Sequence, residues 1–134
     1  MTLREPEPDD APAILAIAYS WGLPWGWKWP EGRYGLVAAS GRVVAFVLFA
    51  ETIYGLVVEE LWPERSREGE RGLALLSHRI EAIAQGLANQ RGEPLAVGGI
   101  VRRDRERHRA ALEKRGYSEA AAVMEKVFKP QRVC

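Results

Sequence analysis

Residues 59–76, EELWPERSREGERGLALL, decide how the rest of the chain is read. A strand-like run ends in the Trp62-Pro63 break. A charged segment holding Gly69 and Gly72 follows, and then an apolar run opens at helical spacing. A strand that delivers its end to a glycine loop and a helix N-terminus is a physical device for holding an anion. First-turn N–H groups lack intrahelical partners and carry partial positive charge. Glycine lets a phosphate approach those groups closely.

The 134 residues predict a single domain, 1–134, with a sizeable core. A content of 47% hydrophobic and 28% charged residues reads as a soluble globular protein. The net charge of +1 gives no global reason to expect nucleic acid or a membrane surface. The one cysteine, Cys134, excludes an internal disulfide framework and suits a reducing compartment. No apolar run is long enough for a bilayer, and MTLREPEPDD lacks a signal-peptide core, so the expectation is a soluble cytoplasmic protein. His78 and His108 stand isolated, which argues against a metal site. No Ser/His/Asp or Cys/His spacing suggests covalent catalysis.

Working outward, Thr2–Glu5 reads as a short strand, and Asp9 or Asp10 as the cap of a helix reaching about Tyr19. The segment SWGLPWGWKWPEG is too rich in Gly, Pro and Trp for a regular element. YGLVAAS and RVVAFVLFAE read as a hairpin turning at Ser40-Gly41, and a third strand spans Ile53–Trp62 after a turn near Glu51-Thr52. Leu73, Leu76, Ile80, Ile83 and Leu87 mark one face of a long helix. The strand PLAVGGIV follows, then a basic helix from Asp104 to about Arg115, ended by Gly116, and a last strand from Tyr117 to Phe128. This order predicts an α+β fold. The Ile53–Trp62 and Leu95–Val101 strands should run parallel across a right-handed crossover.

In this order the chain resembles a GNAT-type N-acetyltransferase over nearly its whole length. VVEELWPE with the glycine segment and GLALL is similar to the family's central strand, pyrophosphate loop and helix. LEKRGY and VMEKVF resemble its late YEKLGF-like segment and final strand. The resemblance implies a mixed, mostly antiparallel sheet with helices on both faces. It implies acetyl-CoA as co-substrate and direct attack of a primary amine, on a small molecule or a peptide, on the thioester. The central strand would splay at a bulge, and the backbone of Leu61 and Trp62 would pair with the pantetheine arm. Arg67, Gly69, Glu70, Arg71, Gly72 and Leu73 would fall in the pyrophosphate loop. Glu59 or Glu60 would be the general base.

The pattern departs from the family at three places. Counting back from GLALL puts Glu70 where the middle glycine belongs, and counting forward from Pro63 puts Gly69 there but Arg71 at the last small position. Pro63 follows Trp62 directly and lacks an N–H. Leu112 stands where a tyrosine acid is usual. Glu59 and Glu60 are neighbours on a strand, so one should point to each face, and each also reads as an exposed or ion-paired carboxylate. Trp25 and Trp27 read as an acceptor wall, as anchors for a homodimer or protein assembly, or as a loop pinned to the core. The run RRDRERHR reads as a contact for the CoA 3′-phosphate or as the solvated face of a short helix. The departures leave a second expectation open: a non-catalytic GNAT-fold interaction protein that has lost the cofactor site.

Overall fold

A computed structural model describes residues 1–30, 33–53, 55–101, 105–120 and 126–131. The chain divides into two compact units, Met1–Ile100 and Val101–Cys134. The first holds β1 (Thr2–Arg4), a 3-10 turn (Pro8–Asp10), α1 (Ala11–Ser20), β2 (Tyr34–Ala39), β3 (Val43–Thr52), β4 (Gly55–Pro63), α2 (Arg67–Arg91) and β5 (Val97–Gly99). The strands lie in the order β1-β2-β3-β4-β5. The first three pairings are antiparallel, and β4–β5 is parallel, as expected. This is the α+β fold that the element order predicts, with the mixed, mostly antiparallel sheet that the resemblance implies.

β3 is the spine of the sheet. Its residues Val43 to Phe49 are buried without a break. An uninterrupted apolar strand is the mark of a sheet covered on both faces. On one face Ile14, Ile17 and Ala18 of α1 pack with Val37, Val43 and Phe46, and Trp21, Leu23, Trp27, Trp29 and Trp62 close around them. On the other face Leu76, Ile80 and Ala84 of α2 pack with Ala38, Ala45, Val47, Phe49 and Leu56. Trp29 lies so close over β2 that a Cβ at Gly35 would stand 1.9 Å from its ring.

Several boundaries differ from the sequence expectation; β5, for one, covers Val97–Gly99 rather than Leu95–Val101. β3 continues through Thr52, which pairs with Gly55, so the hairpin turns after Thr52 rather than at Glu51-Thr52. β4 continues one residue past Trp62, and Pro63 pairs with Ala45. α2 begins at Arg67, six residues before the apolar face opens at Leu73, because Ser66 caps it. Its buried stripe runs Gly69, Gly72, Leu76, Ile80, Ala84. The glycines that read as a loop are the first two members of the core-facing face. At the other end Gly92 takes φ +67 and closes the helix.

The second unit holds α3 (Glu106–Lys114), followed by Gly116 at φ +93. Of the last expected strand, Tyr117–Ala120 and Lys126–Phe128 are not in a strand, and Val123 and Met124 lie outside the described residues. Asp104, Arg102, Arg103 and Cys134 also lie outside them. Among the described residues, no helix is long and apolar enough to cross a membrane.

Asp10 ties β1 to the start of α1. Its carboxylate accepts two bonds from the Arg4 guanidinium, at 2.7 and 2.9 Å, and one from the Glu7 N–H at 2.7 Å. These bonds, the one from Arg4 first, hold its pKa down to about 2. A depressed carboxylate pKa stabilises the fold above the unfolded-state value and ceases to do so as pH falls through the folded one. Asp10→Asn is therefore expected to cost about 1–2 kcal/mol at neutral pH, with the deficit shrinking between about pH 4 and pH 2. Urea unfolding of both proteins across that range measures it, and a deficit that does not change with pH would contradict this role.

Candidate functional site

The site begins at an irregularity in β4. Leu48 of β3 pairs with Glu60, whereas the next residue, Phe49, pairs with Val58. Glu59 is the extra residue of a β-bulge. A bulge bends its strand and increases the local twist. On its other edge β4 pairs with β5 only through Leu56, Val57 and Val58. The two strands begin in close contact: the Leu56 N–H donates to the Ala96 carbonyl at 2.9 Å, and a Cβ at Gly55 would lie 2.2 Å from the same oxygen. Among the described residues their ladder ends where the bulge begins.

The bulge also resets which side each residue faces. Val58 and Leu61 both pack against the α2-side core, although they are three apart. Strict alternation, which would send Glu59 and Glu60 to opposite faces, is therefore suspended at Glu59. Trp62 belongs to the α1-side core, and its Nε1–H donates to Glu60 Oε2, which places Glu60 on that side. Glu59 is engaged differently, in an ion pair with Arg33 Nε at 2.7 Å.

Tryptophans of the irregular segment reach this strand end. Trp21 donates from Nε1 to the Pro63 carbonyl at 2.6 Å and stacks on Trp62 with ring centroids 5.4 Å apart. The Arg65 guanidinium sits 3.7 Å from the centre of the Trp21 ring and also donates to the Ser20 carbonyl. The two tryptophans singled out from the sequence are separated. Trp27 packs on Phe46 in the core, 6.0 Å between centroids. Trp25 is 91% exposed and stacks on Tyr19. Sequence reasoning missed Trp21 and Arg65. The available signal was a tryptophan in the turn that ends α1, where an indole can reach past the helix end.

Arg67 to Leu73 are helical residues of the first two turns of α2. The Ser66 hydroxyl accepts from the Gly69 N–H at 3.0 Å and donates to the Glu64 carboxylate at 2.7 Å. The Glu70 N–H donates to the Ser66 carbonyl at 3.1 Å. The N–H groups of Arg67 and Glu68 have no acceptor among the described residues. Arg42, from the β2–β3 turn, binds Glu64 at 2.7 Å and lies 3.6 Å from Glu68. Its hydrogen bond, with a second from Ser66, holds the Glu64 carboxyl below the usual carboxylate range. Both glycines are closely packed. A Cβ at Gly69 would fall 1.9 Å from the Glu64 carbonyl oxygen, and one at Gly72 would lie 3.0–3.2 Å from Ala38, Ala45 and Val44.

No family model matches the chain, and no curated protein matches it in sequence. Its fold matches solved structures over 96–98% of its length. A tetramutant protein from Bacillus halodurans is 16% identical over 96% of this chain and 100% of that chain, with a TM-score of 0.70. An aminoglycoside antibiotic 6′-N-acetyltransferase from Acinetobacter haemolyticus is 12% identical over 98% and 100%, with a TM-score of 0.69. A ribosomal-protein-alanine N-acetyltransferase from Brucella melitensis biovar Abortus 2308 is 17% identical over 96% and 99%, with a TM-score of 0.59.

The packing of α2 separates its glycines by role. Gly69→Ala and Gly72→Val are expected to destabilise by about 1–3 kcal/mol or more, because the added atoms meet backbone and packed methyls. Gly86, in the same helix, has nothing within 4 Å of its Cβ position. Gly86→Ala is expected to stabilise by about 0.5–1 kcal/mol through helix propensity. Thermal or urea unfolding of the three variants checks the order.

Proposed function

We propose, from the GNAT-type fold this chain shares with those acetyltransferases, that it is an N-acetyltransferase moving acetyl from acetyl-CoA to a primary amine by direct attack. The observation that carries the reading is the coincidence of the Glu59 bulge with the end of the β4–β5 ladder. A strand edge that opens in this way can take an extended, amide-bearing chain as if it were a further strand. Leu61 and Trp62 stand along it, and the backbone there would hold the pantetheine arm. Acetyl-CoA would supply an acyl thioester: as the amine nitrogen bonds to the acyl carbon the C–S bond would break, and CoA would leave as its thiolate.

The chain's own part is to bind, orient and move a proton. The attacking amine loses a proton, and a carboxylate beside the strand end takes it. Glu60 suits this role better than Glu59, because it accepts from the neutral Trp62 indole, whereas Glu59 is paired with the Arg33 cation. The exposed Trp25, stacked on Tyr19, would meet an acceptor, whereas Trp27 would take part only from the core. The β4 edge and Glu60 support this reading; the amine itself is left to experiment.

A second reading is a GNAT-fold interaction protein without the reaction, favoured by the exposure of Trp25. Acetyl-CoA separates the two. Under the enzyme reading, acetyl-CoA at about a hundred times its Kd stabilises the native state by about 2.7 kcal/mol and raises Tm by several degrees. Glu60→Gln keeps that shift and lowers the acetylation rate about 10²–10⁴-fold across a panel of primary amines. No shift at millimolar acetyl-CoA would sink the enzyme reading. Under the interaction reading, Trp25→Ala changes the elution volume in size exclusion; unchanged elution counts against self-association.

A further inference from the structure

We infer that the donor is recognised through its pantetheine and acyl portion and not through its nucleotide diphosphate, so that a pantetheine thioester lacking the nucleotide binds as well as the CoA thioester. The inference rests on the acetyltransferase reading above and specifies the donor class of the same site.

Three observations at the start of α2 carry it. The first is the supply of donors. Of the first-turn N–H groups, the Ser66 hydroxyl takes that of Gly69 and the Ser66 carbonyl takes that of Glu70, which leaves those of Arg67 and Glu68. The second is space. Glycine serves an anion site by letting the ligand come close to the backbone. Here the space beside Gly69 is filled by the Glu64 carbonyl, and that beside Gly72 by Ala38, Val44 and Ala45. The chain's own atoms take the close approach.

The third is charge. Glu64, Glu68 and Glu70 bring three carboxylates to the loop and first turn. Glu64 is held in its ionised form by Arg42 and Ser66. Arg42 is shared between Glu64 and Glu68, and Arg65 is laid over Trp21. Arg67 and Arg71 remain as cations, one turn apart on the exposed side of α2, where solvent screens them. A diphosphate placed here meets three carboxylates, of which Glu64 is held in place, and two exposed arginines. The stretch of β4 beyond its ladder with β5 among the described residues has the opposite character: a backbone edge pairs with amide groups and needs no charge.

The test compares three probes on the intact protein by calorimetry and thermal shift: acetyl-CoA, S-acetylpantetheine and 3′-phosphoadenosine 5′-diphosphate. The expected result is that the two thioesters bind with Kd values within about threefold, and that the nucleotide alone neither raises Tm nor competes with them. Acetyl-CoA binding about a hundredfold or more tighter than S-acetylpantetheine, or protection by the nucleotide alone, overturns the inference and leaves the acetyltransferase reading standing. Failure of both thioesters to bind overturns the acetyltransferase reading, and the inference falls with it.

Discussion

At its N-terminal end α2 meets the sheet with backbone rather than side chain. Gly72 rests against Ala38, Val44 and Ala45, small residues on two adjacent strands, and Gly69 rests against the Glu64 carbonyl. This close approach fixes the depth of the helix on the sheet. It thereby sets where Ser66 sits, and Ser66 joins the helix to Glu64 and, through Glu64, to Arg42 at the far turn of β2–β3. The last residues of β4 are held between this cap and the Trp21–Trp62 stack on the other face. Larger side chains at 69 or 72 would lift the helix, and the strand end would lose one of its two supports.

The bulge at Glu59 is the complementary device. The cap and the stack fix the end of β4, while the bulge falls where, among the described residues, its ladder with β5 ends. It also shifts the alternation by one residue, so that Glu60 and Trp62 fall on the α1 side although Val58 lies on the α2 side. One inserted residue thus coincides with the end of that ladder and sets the side on which Glu60 lies. Both features lie on the β4 segment and not at the start of α2.

Much of the fold is legible in the sequence because it is written in periodicity. The continuous apolar run of β3, the 73–76–80–83–87 spacing of α2 and the glycine at 92 each carry their own signal. The start of α2 misleads because glycine in a charged segment reads as loop. Only its spacing to Leu76, Ile80 and Ala84 shows that Gly69 and Gly72 continue the buried stripe. The bulge has no signature in a single strand, since it is a relation between β4 and β3. The role of Trp21 is invisible for a similar reason: its hydrogen-bond acceptor, the Pro63 carbonyl, lies 42 residues away. The candidate carboxylates could be named from sequence, but not their partners.

The parallel ladder between β4 and β5 rests on three residue pairs, Leu56–Val97, Val57–Gly98 and Val58–Gly99, and two of the three β5 residues are glycine. Glycine adds no side-chain packing and has the most backbone freedom to regain. β3, by contrast, is paired on both edges and buried for seven residues in succession. The sheet is therefore graded in its cost of local opening, lowest at β5 and highest at β3. In amide hydrogen exchange that gradient would make Val97 to Gly99 the fast-exchanging border of a slow-exchanging slab, a seam that can part without unfolding the domain.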